Sequence, residues 1–81
     1  MNFGQAIEAI KQSKKVARKG WNGKNMFIFI ADGEDLTRCM CSKGMPPCKD
    51  SICMLTADGE IVVGWLASQT DMLAEDWEIV D

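Results

Sequence analysis

The 81-residue sequence predicts a small single α+β domain: an N-terminal helix packed on a mainly antiparallel sheet, with a short second helix before the last strand. Three observations carry that prediction. Apolar residues near the N-terminus recur with helical period, two strand-like runs flank an Asp-Gly turn, and a Ser-x-x-Asp cap precedes a final alternating segment. Together they give the order α-β-β-loop-β-β-α-β within one domain, residues 1–81.

Phe3, Ala6, Ile7 and Ile10 fall at i, i+3, i+4 and i+7, the stripe of a helix packed on one side. Asn2 is a favourable N-cap, and Gln5 three residues later completes a capping box. Glu8 and Lys11 are spaced to meet on the outer face, and the helix fades near Ser13. Val16-Ala17-Arg18 reads as a short strand. Gly20, Asn22 and Gly23 then mark a tight loop, as residues that tolerate positive φ, with Trp21 among them and hard to bury completely. Met26 to Ile30 is an unbroken apolar run of strand length. Both of its faces need cover, the helix on one side and another layer or subunit on the other.

From Asp32 to Ser51 no period holds. Asp32-Gly33 and Gly44-Met45-Pro46-Pro47 are turn signals, and a loop of this length is usually functional, mobile or pinned. Ile52 to Thr56 and Glu60 to Val63 form a hairpin around Asp58-Gly59. A short helix fits Ser68 to Ala74, with Ser68 as cap, Asp71 closing the box, and Leu73 and Trp77 directed to the core. Trp77 to Val80 is the last strand.

Composition narrows the function classes. A chain this short buries only about 60% of its unfolded surface, so its core is marginal. With 47% hydrophobic residues, a partner subunit is a natural way to complete that core. The net charge of -3 argues against duplex nucleic acid and anionic membrane surfaces as partners. Lys11, Lys14, Lys15, Arg18, Lys19 and Lys24 nevertheless crowd the first third, as a solvated basic face or as a seat for a small anion. There is neither a signal-peptide pattern nor an apolar run near the ~20 residues needed to span a bilayer, so the expected location is the cytoplasm. Histidine is absent, which removes the usual general base and the commonest metal ligand.

Cys39, Cys41, Cys48 and Cys53 run as C-x-C followed by single cysteines. Structural zinc sites favour two short pairs a dozen or more residues apart, so packed thiols in a cysteine-rich loop at 32–51 are the expectation, with no metal. Asp71, Glu75 and Asp76 offer carboxylates, and Ser68 and Thr70 offer hydroxyls, but nothing activates those hydroxyls. No catalytic residue and no cofactor is assigned. Trp65 and Trp77 bracket a Ser-Gln-Thr-Asp run, a mixture of aromatic faces and short polar groups suited to a flat polar molecule. On spacing alone the commoner reading of the same residues is a helix cap between two core aromatics. Trp21 and Trp65 are of the type that stacks on bases.

Three stretches carry a resemblance. Asn2-Phe3-Gly4-Gln5-Ala6-Ile7-Glu8-Ala9-Ile10, Ala17-Arg18-Lys19-Gly20-Trp21-Asn22-Gly23-Lys24 and the segment from Trp65 through Ser68-Gln69-Thr70-Asp71 to Trp77 are similar to the type-two Thoeris anti-defence proteins of phages. The similarity covers residues 2–31 and 55–80, whereas 32–51 departs from it, being shorter and cysteine-rich. The resemblance implies a non-catalytic sponge in the host cytoplasm. Such a protein sequesters a cyclic nucleotide immune signal, glycocyclic ADP-ribose and in some members cyclic dinucleotides, without cleaving it. It also implies a homotetramer with pockets between subunits. Carried onto matching positions, Trp21 stacks on adenine, Asn22 hydrogen-bonds beside it, and Trp65 forms a wall. Ser68, Gln69, Thr70 and Asp71 contact ribose, phosphate or base edges, and Arg18 is a phosphate partner or the mate of an acidic residue. The competing expectation is a small non-catalytic interaction or structural protein of a phage whose aromatic motifs serve assembly.

Overall fold

The computed structural model describes residues 1–21, 25–40 and 44–80. Helix α1 (Phe3–Lys11) begins as its sequence dictates: Gln5 N–H donates to Asn2 Oδ1 and Asn2 N–H to Gln5 Oε1, both at 2.9 Å. Glu8 and Lys11 pair at 3.6 Å on the exposed side. The helix stops where Ser13 turns left-handed at φ 67°. There Ser13 N–H donates to Ile10 O and Lys14 N–H to Ala9 O, a Schellman ending built without glycine.

Five strands follow: β1 (Lys15–Arg18), β2 (Phe27–Ala31), β3 (Ser51–Leu55), β4 (Ile61–Val63) and β5 (Trp77–Val80). They form one antiparallel sheet in the order β4-β3-β2-β1-β5. The β3–β4 turn is the one the Asp-Gly pair predicted, with Gly59 at φ 84° and Thr56 N–H donating to Glu60 O at 2.8 Å. The last strand returns to lie beside β1, pairing Arg18 with Trp77 and Val16 with Ile79. Met1 adds to the outer edge of β5: its ammonium donates to Trp77 O at 2.8 Å, and Trp77 N–H donates to Met1 O at 3.1 Å.

Because paired residues share a face, Val16, Ile28 and Trp77 point together toward α1. Ala6, Ala9 and Ile10 meet them there, and these six residues form the buried cluster between helix and sheet. Two alanines on the contact face let the helix sit close to the sheet. The register places Ala17, Phe27, Phe29, Cys53 and Leu55 on the opposite face. Phe27 and Phe29 lie half-buried there with ring centroids 5.8 Å apart, and the Lys15 ammonium sits 4.9 Å from the Phe27 ring.

The stretch expected to be loop from residue 32 to 51 contains a further helix, α2 (Gly33–Met40). Its only buried residue is Gly33, and its short apolar stripe of Leu36, Cys39 and Met40 lies half-buried to exposed rather than in the core. Polar bonds hold it instead. Asp32 Oδ1 accepts Glu34 N–H, Asp50 Oδ1 accepts Gly33 N–H, and the Thr37 hydroxyl donates to Gly33 O while accepting Cys48 N–H, each at 2.7 Å. Gly33 is needed for approach, since a Cβ there would lie 2.3 Å from Cys48 O. Cys53 is buried in β3, Cys48 is half-buried and Cys39 is exposed; Cys41 lies outside the described residues. Among the described residues no group of three or more potential ligands could hold a metal ion, and no helix is long and apolar enough to cross a membrane.

Candidate ligand-binding site

The three tryptophans converge within a single chain. Trp77, on β5, is 2% exposed and forms the floor. Trp21, in the segment after β1, and Trp65, after β4, stand half-buried against it. Ring centroids are 5.4 Å apart for Trp21–Trp77, 6.3 Å for Trp65–Trp77 and 6.4 Å for Trp21–Trp65, all close to edge-to-face. That arrangement suits aromatic quadrupoles and leaves the two outer rings preset. Trp65 is delivered by Gly64, at φ 89°, after which Trp65 N–H donates to Ile52 O at 2.7 Å.

The third helix, α3 (Gln69–Leu73), starts beside this cluster. Ser68 Oγ accepts Asp71 N–H at 3.1 Å and Asp71 Oδ2 accepts Ser68 N–H at 3.2 Å, the predicted capping box. Asp71 O accepts the indole N–H of Trp77 at 3.0 Å, tying the helix to the aromatic floor. Leu73 does not enter the core as its spacing suggested. It is 73% exposed, because α3 ends there and the chain leaves in an extended conformation at Ala74.

Arg18 is occupied from within the chain. Its Nε donates to Asp76 Oδ1 and an Nη to Asp71 Oδ1, both at 2.9 Å, so one guanidinium clasps β1, α3 and the start of β5. Of its two expected roles, pairing with acidic residues is the one this chain adopts. Asp76 Oδ2 accepts Gly20 N–H at 3.0 Å. Gly20 is not in the left-handed region expected of it; a Cβ there would lie 3.2 Å from Asp76 Oδ2, so close approach accounts for the glycine.

The sequence-derived residues therefore divide. Trp21 and Trp65 meet on Trp77; Ser68 and Asp71 cap α3; Gln69 and Thr70 are exposed on its first turn. Asn22 lies outside the described residues. A cavity of about 320 Å³ opens along Trp21, bounded by Ala17, Arg18, Lys19, Phe27, Glu78 and Val80 among others; Trp65 and residues 68–71 do not line it. Sequence reasoning missed Asp76 as a part of the site. Its link to Arg18 spans 58 positions and depends on the β1–β5 register, which no local pattern reveals.

The clasp has an electrostatic signature. The Arg18 hydrogen bond holds Asp76 below the usual carboxylate range. At Asp71 burial pushes the carboxyl up, but the bonds from Arg18 and Ser68 together outweigh it and leave it low. Groups depressed in the folded state stabilise it above the ordinary carboxylate pKa, and that contribution fades as pH falls from about 4 through the depressed values. Urea unfolding followed across acidic pH should therefore lose stability more steeply in the parent than in an Asp71→Asn, Asp76→Asn variant, which starts lower at neutral pH. Parallel pH curves would show that the clasp is not linked to folding.

The chain is thus a small α+β domain whose paired outer tryptophans stand on a buried third, next to a capped helix turn. The chain belongs to the Thoeris anti-defense 2-like family, whose domain model matches residues 1–80. It is similar to Thoeris anti-defense 2 of Bacillus phage SP01, with 44% identity over 85 residues, covering 99% of this chain and 94% of that protein.

Proposed function

We propose that this protein counters Thoeris defence as a sponge, binding a cyclic nucleotide signal of the glycocyclic ADP-ribose type, with cyclic dinucleotides as further cargo, and holding it uncleaved. The observation that carries this reading is the aromatic wall formed by Trp21 and Trp65 on Trp77, whose indole is tied to the first turn of α3 through Asp71 O. A purine stacks on the indole of Trp21, with Trp65 as the second wall. Gln69 and Thr70 have exposed polar groups for ribose or base edges, and Asn22 adds a hydrogen bond near Trp21. Ser68 and Asp71 act through the cap, and Arg18 acts by holding the walls in place rather than by gripping phosphate.

A non-catalytic role is consistent with the chemistry. The chain has no histidine, and the carboxylates of Asp71 and Asp76 are kept ionised by Arg18, which makes them poor proton donors. Sequestration needs affinity and amount. Nanomolar binding corresponds to about -12 kcal/mol, and walls set in advance reduce the ordering cost of reaching it. The half-buried Phe27 and Phe29 and the exposed residues Ile61, Val62 and Val63 of β4 favour assembly with further copies, in a homotetramer that works in the host cytoplasm.

The second reading, a non-catalytic interaction protein whose aromatic motifs serve assembly, draws on Leu66 and Leu73, which are 89% and 73% exposed. One experiment separates the two. Glycocyclic ADP-ribose mixed with excess protein should disappear from the filtrate and return chemically unchanged after heat denaturation. Recovery of an altered product would indicate an enzyme, and no depletion would favour the interaction protein.

A further inference from the structure

Residues 18 to 20, which lead directly into Trp21, are all held by one residue. Asp76 accepts Arg18 Nε at 2.9 Å through one carboxylate oxygen and Gly20 N–H at 3.0 Å through the other. Its backbone carbonyl accepts Lys19 N–H at 3.1 Å. The turn then closes with Trp21 N–H donating to Arg18 O at 3.2 Å. Asp76 also immediately precedes Trp77, the floor on which the Trp21 ring rests at 5.4 Å. One residue thus holds the point where the chain leaves β1 and leads directly into the surface against which the next aromatic side chain packs. Gly20 fits the same picture, since a Cβ there would press on this carboxylate at 3.2 Å.

We infer that Asp76 is a positioning residue for the ligand site: through the Gly20 amide and the Arg18 guanidinium it sets the angle at which the Trp21 indole stands against Trp77 and Trp65. Asp76 touches no ligand itself. Its effect on binding rests on the sponge reading, whereas its effect on ring geometry does not. A purely structural ion pair would predict something different. Arg18 has a second bond to Asp71 that would still anchor α3 in an Asp76 variant, and loss of Asp76 would then lower stability without turning the Trp21 ring.

Three variants of the full chain separate these outcomes. Asp76→Ala removes both acceptors. Asp76→Asn retains one carbonyl oxygen for two competing donors. Gly20→Ala keeps every charge but crowds the carboxylate. Each is compared with the parent, and with Trp21→Phe as reference, by the tryptophan exciton couplet in circular dichroism and by titration with glycocyclic ADP-ribose. The couplet assigned to Trp21 should be altered in Asp76→Ala and Gly20→Ala and intermediate in Asp76→Asn. Affinity should fall in the same order, by about tenfold or more for Asp76→Ala, the scale of losing a charge-assisted bond. A parent-like couplet in both Asp76→Ala and Gly20→Ala overturns the inference, as does an altered couplet with parent affinity. If the parent itself fails to bind the probe, the sponge reading fails, and the couplet still decides whether Asp76 orients Trp21.

Discussion

Trp21→Ala is expected to end signal sequestration in a chain that still folds and assembles. The side chain is half-buried, in edge-to-face contact with Trp77 at 5.4 Å and near Trp65 at 6.4 Å. Removing it forfeits aromatic pairing of about 0.5–1.5 kcal/mol beyond area burial, a loss that a domain with an intact floor can absorb. Binding suffers more. Stacking of a base on an aromatic ring is worth about 1–3 kcal/mol by alanine substitution, and the remaining wall, Trp65, then faces an open side. A sponge that loses up to about a hundredfold in affinity no longer keeps a scarce signal below threshold. The measurement is depletion of glycocyclic ADP-ribose beside a thermal melt and a sizing run. Parent-like depletion would remove Trp21 from the site.

Trp77→Ala is expected to leave no stably folded domain. Trp77 is the largest fully buried side chain, in contact with Phe3 at a centroid distance of 5.6 Å and with both outer tryptophans. Truncating a buried Trp costs about 3–5 kcal/mol, against a total of about 4–12 kcal/mol for a chain of this length. The substitution also leaves Asp71 O without its indole donor. Trp77→Phe keeps most of the apolar volume and loses mainly that hydrogen bond, a net effect of about 1 kcal/mol plus the cost of looser packing. Urea unfolding of the two variants checks the ranking. A melt of Trp77→Ala close to that of the parent would mean that α1 and the sheet hold together without this ring.

What the sequence disclosed was decided by neighbours a few positions apart. The Asn2–Gln5 and Ser68–Asp71 boxes, the stripe through Ile10 and the Asp58-Gly59 turn each involve groups within four residues, and each appears as read. Trp21 stood out as a large aromatic among turn residues, and Trp65 through the Ser-Gln-Thr-Asp run that follows it. Helix α2 stayed hidden because its apolar stripe covers barely two turns among turn signals and stays out of the core, and because the polar bonds of Asp50 and Thr37 that hold it join residues 17 and 11 positions apart. Leu73 had core spacing but lies on a helix too short to turn it inward. The partners of Arg18 and the role of Asp76 required the pairing of β1 with β5, which joins residues more than fifty positions apart.

That pairing has a consequence for how the protein is made. β1 occupies an interior position in the sheet, yet its outer neighbour is the final strand, and the Arg18 clasp waits for Asp71 and Asp76. During translation the helix and the β3–β4 hairpin have local contacts to form early, but Trp21 and Trp65 lack the Trp77 floor until β5 emerges from the ribosome. Nascent chains stalled before Trp77 would therefore show helical content while remaining inert toward ligand, and competence would arrive abruptly with the last strand.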